Sequence, residues 1–179
     1  MTGDMIINLY IKEMWRNNFN VSVRSIFPSD KDKIMSFMSE KFPDEHGWKM
    51  EVERGWYNGT LLVAVQNKKI IGFVCYDCTG KGYLGPLGVD PEYRKQGIGR
   101  ELLYACLDAM KTMGYGYAIV GWVSDHRDES PTNFYIKTAN AKYIPFSDPH
   151  YTLYKNKVEM ENVSIDGYDE LDHFKKYGW

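Results

Sequence analysis

The residues of this sequence best suited to chemistry lie in one short segment, residues 94–100, which reads RKQGIGR. A predicted strand ends at Val89, and the chain then turns toward a predicted helix that begins at Gly97. The first N–H groups of a helix have no helical acceptors and lie at the positive end of its dipole. Because Gly97 and Gly99 carry no Cβ, a bulky anion can approach those groups closely. The cations around this opening are Arg94, Lys95 and Arg100. The segment is therefore predicted to bind a cofactor that carries phosphate or pyrophosphate.

The spacing within this segment separates it from two common phosphate-binding motifs. It lacks the G-x-G-x-x-G of a Rossmann fold and the G-K-[ST] of a Walker A loop. It resembles motif A of the GNAT superfamily of N-acetyltransferases, because the pattern R-x-x-G-x-G of residues 94–99 follows a strand and Pro91. The flanking LGV of residues 87–89 and GIGRELL of residues 97–103 strengthen the resemblance.

A second segment supports the same resemblance. Residues 134–141, FYIKTANA, are similar to the motif B helix of that superfamily, in which a Tyr is followed by a Lys and a small turn. The order of the predicted elements also agrees over residues 20–157. The resemblance therefore covers most of the chain.

The resemblance implies both a fold and a cofactor. The fold is mixed α/β, with a mostly antiparallel central sheet of about six or seven strands flanked by helices. The sheet would be splayed between its fourth and fifth strands, residues 83–89 and 117–123. Acetyl-CoA, the acyl donor, would lie in that cleft, with backbone groups of Leu87 and Val89 paired to its pantetheine arm and residues 94–100 around its pyrophosphate. The implied cofactor-binding residues are Leu87, Gly88, Val89, Arg94, Lys95, Gln96, Gly97, Ile98, Gly99 and Arg100.

The strand that would hold the pantetheine arm is unusual on physical grounds alone. Its centre reads Gly85-Pro86-Leu87-Gly88. Gly and Pro in a strand interior favour a bulge, which leaves backbone groups available for a ligand. The alternative interpretation is an irregular edge strand.

The implied reaction is direct attack of an acceptor amine on the thioester. It requires a base for the amine, donors for the developing oxyanion and an acid for the leaving thiolate. Tyr135 aligns with the tyrosine that often serves as this acid, and a phenol of pKa ~10 suits the role. An alternative role for Tyr135 is to pack its helix. The base is open, because Tyr83 stands where some members carry a Glu; Asp125, His126 or a water molecule are the candidates.

The acceptor is expected to meet the link between the first two predicted helices. There, Asp44 and Glu45 would attract a cationic amine and Trp48 would form an apolar wall. A plain solvated connector explains this composition equally well. His150 and Tyr151 are further candidates, and none of these residues identifies the acceptor.

Length and element order predict one domain with a short extension at each end. Residues 1–19 are expected to be a helical N-terminal extension, residues 20–157 the acetyltransferase domain, and residues 158–179 an acidic C-terminal extension. The apolar residues of the last segment suggest a short helix laid on the body or on a second subunit. A homodimer is thus left open.

Composition excludes several other classes of protein. The chain has 179 residues, with 22 Lys and Arg against 24 Asp and Glu, which argues against a general nucleic-acid binder. The net charge is −4 over residues 158–179 and +2 over the rest. No uncharged apolar run reaches the ~20 residues needed to span a membrane. Because residues 1–20 also lack the pattern of a signal peptide, a cytoplasmic location is predicted.

The cysteines are expected to have a structural role. Three cysteines cannot form a closed disulfide framework. The pair Cys75-x-x-Cys78 invites a redox or zinc interpretation, but it lies at the end of a strand and no second ligand pair accompanies it. Buried thiols are therefore favoured, and no metal is predicted.

The sequence thus predicts an acetyl-CoA-dependent N-acetyltransferase that acts on a primary amine of a small molecule or peptide, with no nucleic-acid or membrane partner. One alternative is a catalytically silent acyl-CoA-binding regulatory module on the same scaffold. Another is a protein-interaction domain in which the glycines only begin a helix.

Overall fold

The helices and strands of this chain follow the periodicity of its apolar residues. A computed structural model describes residues 2–11, 21–124, 131–145 and 147. The strands are β1 (Thr2–Asn8), β2 (Ser22–Ser25), β3 (Leu61–Gln66), β4 (Lys69–Tyr76), β5 (Tyr83–Val89), β6 (Tyr117–Ser124) and β7 (Lys142–Tyr143). The helices are α1 (Lys31–Lys41), α2 (His46–Asn58), α3 (Ile98–Thr112) and α4 (Pro131–Ala139), with short 3-10 helices at Pro28–Asp30 and Pro91–Tyr93. Two compact units result, one of residues 9–118 and one of the described parts of residues 1–8 and 119–179.

The described part of the unit of residues 9–118 contains an antiparallel sheet in the order β2-β3-β4-β5. β3 and β4 form a hairpin, as expected from two strand-like runs of residues separated by a short polar turn at residues 67–68. Both residues of its turn, Asn67 and Lys68, have positive φ, of 49° and 64°. Positive φ at both positions gives the type I′ geometry, whose twist matches that of the two strands.

Helices α1 and α2 cover one face of this sheet through an aromatic core. Phe73 of β4 is fully buried. The centroid of its ring lies 6.4 Å from that of Phe37, 5.7 Å from that of Phe42 and 6.1 Å from that of Trp48. These rings meet edge to face, the arrangement that aromatic pairs prefer. The end of α1 and the start of α2 are therefore held against β4.

Helix α3 packs on the other face of the same strand. Gly72 precedes Phe73, and successive residues of a strand point to opposite faces. A Cβ on Gly72 would lie 2.9 Å from Leu102 Cδ1, so α3 rests directly on the backbone of β4. The apolar spacing over residues 97–113 predicts a buried face for this helix, and Ile98, Leu102 and Cys106 are buried, whereas Met113 is 67% exposed.

The second unit begins with a strand where a helix was expected. Over residues 2–8 the predicted helical extension is wrong, because this segment forms β1, which pairs antiparallel with β7. Met5, Ile7 and Leu9 are buried while Asn8 is exposed. This period of two is that of a strand with one buried face. Within this unit the strands follow the order β6-β1-β7.

The expected fold class, a mixed α/β fold with a mostly antiparallel sheet, is confirmed. The pairs β2–β3, β3–β4, β4–β5 and β1–β7 are all antiparallel. The predicted domain boundaries stay a prediction. The rest of the N-terminal extension (residues 12–20), the last predicted strand (151–154) and the acidic extension (158–179) lie outside the described residues. No helix of the described part is long and apolar enough to cross a membrane.

Candidate functional site

Strand β5 carries the bulge that its glycine and proline predict. Val74 of β4 is opposite Leu87, but Tyr76 is opposite Leu84. Two residues of β5, Gly85 and Pro86, therefore share the space of one residue of β4, which is a β-bulge. The φ of Gly85 is +126° and a Cβ there would have no neighbour within 4 Å, so this position needs glycine for its backbone conformation.

Beyond the bulge, β5 alternates between a packed face and a more open one. Leu84, Pro86 and Gly88 are buried, whereas Leu87 and Val89 are partly exposed. A Cβ on Gly88 would lie 2.6 Å from Phe73 Cε1 and 2.9 Å from Phe42 Cζ. The smallness of Gly88 is therefore required by the aromatic core.

The turn after β5 is organised by Asp90. Its N–H donates to Ile71 O at 2.9 Å, and its carbonyl oxygen accepts the Tyr93 N–H at 2.8 Å. Its Oδ1 accepts the Glu92 N–H at 3.0 Å and so caps the short helix Pro91–Tyr93. The carboxylate is buried, and Lys41 Nζ lies 3.4 Å from its Oδ2. Asp90 thus fixes the direction in which the chain enters residues 94–100.

Residues 94–100 wind around the first turn of α3. Lys95 and Gly97 both have left-handed backbone conformations, with φ of 61° and 84°. The Glu101 N–H donates to Gly97 O at 3.2 Å, and the N–H groups of Ile98 and Gly99 precede this α-helical bond in the chain. They lie at the positive end of the helix dipole, where an anion is favoured.

The guanidinium of Arg94 lies against the end of β5. Its Nε donates to Val89 O at 3.2 Å. A guanidinium has five N–H donors in a planar fork, so the remaining ones stay suited to a phosphate oxygen. Arg94, Lys95 and Gln96 are exposed, and Gln96 Nε2 donates to Glu92 O at 3.4 Å. The predicted cofactor-binding residues are therefore neighbours at one end of the unit of residues 9–118.

A buried carboxyl group beside this loop was missed by the sequence analysis. Glu101, in the first turn of α3, is 5 % exposed, and its Oε1 has no hydrogen-bond partner in the described part of the chain. Burial raises the pKa of Glu101, an effect that the charge of Arg100 opposes. The sequence alone gave no signal, because an acid in the first turn of a helix usually complements the dipole from the surface.

The link between α1 and α2 carries exposed acids, and one packed aromatic residue follows it in the first turn of α2. Asp44 and Glu45 are exposed. Trp48 is partly buried and packs on Phe42, with 5.7 Å between ring centroids. Because Phe42 also faces Gly88, the link runs beside β5. The structure thus brings the predicted acceptor wall close to the strand expected to hold the acyl donor.

Tyr135 belongs to the other unit. It lies on α4, is 8 % exposed, and its ring centroid is 5.1 Å from that of Phe134. In the same unit, the Tyr143 hydroxyl is 3.0 Å from Thr132 Oγ1. The candidate bases Asp125 and His126, as well as His150 and Tyr151, lie outside the described residues.

The cysteines are buried free thiols, as the sequence analysis favoured. Cys75, Cys78 and Cys106 are all buried and unbridged. Burial raises the pKa of Cys75 and of Cys106 well above the usual value. Cys75 and Cys106 are therefore unreactive and act as small apolar side chains, whereas a hydrogen bond with Cys75 lowers the pKa of Cys78.

Comparison with known families identifies this arrangement. A model of the acetyltransferase (GNAT) family matches residues 29–138, a span that includes β5, the loop of residues 94–100, α3 and most of α4. The chain belongs to this family. The resemblance expected from the two sequence motifs is therefore confirmed.

Individual relatives agree with this assignment. YhbS of Escherichia coli K12, an uncharacterized N-acetyltransferase, is 27% identical over an alignment of 107 positions that covers 54% of this chain and 64% of that protein. The chain thus spans less than two thirds of the relative's length. A GCN5-related N-acetyltransferase of Sphaerobacter thermophilus shares the fold with a TM-score of 0.63 at 18% identity, over 80% of this chain and 48% of the other.

Two solved structures of GNAT proteins are complexes with CoA or acetyl-CoA. The E. coli YhbS structure is a complex with CoA, at 27% identity and a TM-score of 0.45 over 56% of this chain and 61% of that one. A GNAT acetyltransferase of Brucella melitensis is a complex with acetyl-CoA, at 20% identity and a TM-score of 0.49 over 65% of this chain and 82% of that one.

Proposed function

We propose that this protein is an acetyl-CoA-dependent N-acetyltransferase that acetylates a primary amine of a small molecule or peptide by direct attack. The observation that carries the proposal is the loop of residues 94–100. There, the left-handed Lys95 and Gly97 precede helical N–H groups beside the Arg94 guanidinium, directly after a bulged strand. This arrangement suits an elongated ligand with a pyrophosphate at one end.

The residues of the loop fit the phosphate groups of such a ligand. Backbone N–H groups at the start of α3 would receive the pyrophosphate, with Arg94 supplying charge-assisted hydrogen bonds. The backbone of Leu87 and Val89, next to the bulge, would pair with the pantetheine arm. When bound, acetyl-CoA supplies the activated acyl group, and the chain contributes binding, orientation and proton transfer.

Proton transfer is assigned to Tyr135 and to a base reached directly or through water. As general acid, the phenol of Tyr135 would give its proton to the leaving thiolate, a group of similar basicity. Asp125, His126 and water remain the candidates for the base. The acids Asp44 and Glu45 beside Trp48 would favour a cationic acceptor.

A second function is favoured by Tyr83. This residue stands where some members of the family carry a Glu, and its carbonyl oxygen accepts the Asp77 N–H at 2.9 Å, a turn contact at the start of β5. A chain without an acid at that position is also suited to be a catalytically silent acyl-CoA sensor. Both functions require binding of an acyl-CoA, but only the enzyme transfers the acyl group.

Two measurements on the purified chain test these proposals in sequence. Saturating acetyl-CoA is expected to raise the Tm, since a ligand that binds only the folded state stabilises it. Acetyl-pantetheine, which lacks the pyrophosphate, is expected to raise it far less. No stabilisation by acetyl-CoA would overturn both functions.

Thiol release from acetyl-CoA then separates the enzyme from the sensor. Amino acids, polyamines, aminoglycosides and peptides serve as acceptors, and release above the amine-free rate is expected for one of these classes. Stabilisation by acetyl-CoA with no acceptor-dependent release would support the silent module instead.

A further inference from the structure

We propose that Lys41 is a positioning residue for the anion-binding loop. By pairing with the buried carboxylate of Asp90, beside Glu92, it holds the turn that leads into residues 94–100 in the shape that receives CoA. This inference rests on the proposed function, because it concerns the same loop. Neither of the two sequence motifs includes Lys41, which lies some fifty positions before the loop and on a different helix.

Lys41 lies among three carboxylates. Its Nζ is 3.2 Å from Glu40 Oε1, 3.4 Å from Asp90 Oδ2 and 3.9 Å from Glu92 Oε1. The side chains of Glu40 and Glu92 are 71% and 76% exposed, whereas that of Asp90 is 6% exposed. Exposed ion pairs contribute little to stability, while a buried carboxylate depends strongly on its cation. The contact with Asp90 is therefore the consequential one.

The position of Lys41 is fixed from the backbone. Phe42, the next residue, donates its N–H to Met38 O at 3.0 Å and closes the end of α1. The ring of Phe42 packs on Phe73 and faces Gly88 of β5. Because Phe42 is packed in the aromatic core, the backbone of Lys41 beside it is held in place. The Lys41 side chain is 22% exposed.

Asp90 connects this rigid region to the turn before residues 94–100 through hydrogen bonds. Its N–H is bonded to β4, and its carbonyl oxygen and Oδ1 bond the Tyr93 and Glu92 N–H groups. Oδ2 is the atom nearest Lys41. If Lys41 lost its charge, a buried carboxylate would remain without it, and such a group regains solvation by leaving its site or by admitting water. Either change would disturb the cap before residues 94–100.

The charge of Lys41 has a second consequence for an anionic ligand. Asp90 and Glu92 are two negative charges directly before a loop suited to pyrophosphate. With Lys41 beside both, the net charge of this group is reduced. Without it, the ligand would experience repulsion that depends on ionic strength. Lys41 therefore favours CoA binding in two ways, by positioning Asp90 and by reducing the negative charge beside the loop.

The test measures the Kd of CoA by calorimetry for four variants and a control. Lys41→Met keeps the length of the side chain without its charge and is expected to raise Kd about tenfold. Lys41→Arg keeps the charge and is expected to stay within about twofold. Asp90→Asn keeps the Oδ1 acceptor of the cap and needs no cation. The double variant Lys41→Met with Asp90→Asn is therefore expected to bind CoA as Asp90→Asn does.

Lys33→Met is the matched control. Lys33 also lies on α1 and also pairs with a buried carboxylate, Asp30, at 3.3 Å, but Asp30 is bonded to Arg24 and lies at the start of α1. The Lys33→Met variant is expected to leave the Kd of CoA unchanged. In turnover assays, Lys41→Met should raise the KM of acetyl-CoA and leave kcat unchanged, a split that general destabilisation would not produce.

The outcomes separate this inference from the proposed function. Wild-type protein that does not bind CoA overturns both. Wild-type binding with an unchanged Kd in Lys41→Met overturns the inference alone, as does a double variant that binds no better than Lys41→Met. If Lys41→Met does not fold, Asp90→Asn and the double variant decide: equal Kd values support the inference, and a higher Kd for the double variant overturns it.

Discussion

Gly88 and Phe73 are partners across the β4–β5 ladder, and the ring of Phe73 leaves no room for a methyl group on Gly88. A Cβ there would lie 2.6 Å from Cε1 of the ring. The aromatic core and the strand proposed to hold the pantetheine arm are thus in direct contact. A change in one is expected to alter the other.

Gly88→Ala is expected to destabilise the chain by about 1–3 kcal/mol, the usual cost of overpacking a core. Urea unfolding measures the loss. Gly47→Ala is the control, because a Cβ at Gly47 has no neighbour within 4 Å and Ala favours a helix over Gly. With Phe73→Leu added, the double variant should lose less unfolding free energy than the sum of the losses in the two single variants. Equal stability of Gly88→Ala and wild type would contradict the packing described.

Gly97→Ala is expected to raise the Kd of CoA about tenfold. The φ of Gly97 is +84°, and a left-handed conformation costs a residue with a Cβ about 1–2 kcal/mol. Relief of that strain would move the loop away from its binding shape. Gly59→Ala is the matched control, since Gly59 ends α2 with φ of +70° and has open space around it. Both variants should lose similar stability, and only Gly97→Ala should lose affinity. Equal CoA binding by the two would remove Gly97 from the site.

Tyr135→Phe is expected to lower kcat about 100-fold, the usual scale for loss of general acid catalysis. The Kd of acetyl-CoA should stay nearly unchanged, because the ring remains. Tyr143→Phe controls for burial, since Tyr143 is a buried tyrosine of the same unit whose hydroxyl contacts Thr132. It should lower the Tm and spare kcat. If Tyr135→Phe turns over as fast as wild type, the phenol is not the acid.

Asp30→Asn tests the electrostatics at the start of α1. Burial alone favours the neutral acid, but hydrogen bonds from Arg24, the Phe27 N–H and Lys33 outweigh it and lower the pKa of Asp30. A carboxyl whose folded pKa lies below its unfolded value stabilises the protein above the unfolded pKa of about 3.9, and this stabilisation disappears as the pH falls through the folded pKa.

The variant should therefore be less stable than wild type by about 2 kcal/mol at neutral pH. The difference should shrink as the pH is lowered below about 4. Chemical unfolding at several pH values measures both. A difference that is independent of pH would show that the charge of Asp30 does not contribute.

Much of the fold was predictable because several segments have one strong periodicity. β4 and β5 begin and end where the apolar runs do, at residues 69–76 and 83–89. Helix α3 was expected over residues 97–113 and spans Ile98–Thr112. The N-terminal strand was missed because its alternation is blurred. Ile6 stands between the buried Met5 and Ile7, and three successive apolar residues are compatible with either element.

The candidate site was predictable only where its residues are contiguous in sequence. Glycines, cations and a preceding strand within residues 87–100 predict an anion-binding turn without any knowledge of the fold. The packing reason for Gly88 and the contact of Lys41 with Asp90 depend on helix α1, which comes from a distant part of the sequence. No local pattern encodes such contacts, so only the structure reveals them.

The pairing of β1 with β7 has a consequence for synthesis of the chain. Met5 is the partner of Tyr143, so β1 acquires this neighbour only after the chain through residue 143 has emerged from the ribosome. Until then β1 has no β7 to pair with, and the apolar side chains of Met5, Ile7 and the following Leu9 are left without that strand. Long-range strand pairing of this kind is slow to form. The unit of residues 9–118, whose strands pair with near neighbours in the chain, is complete earlier. Nascent β1 therefore stays without its β7 partner for longer than the strands of that unit stay without theirs.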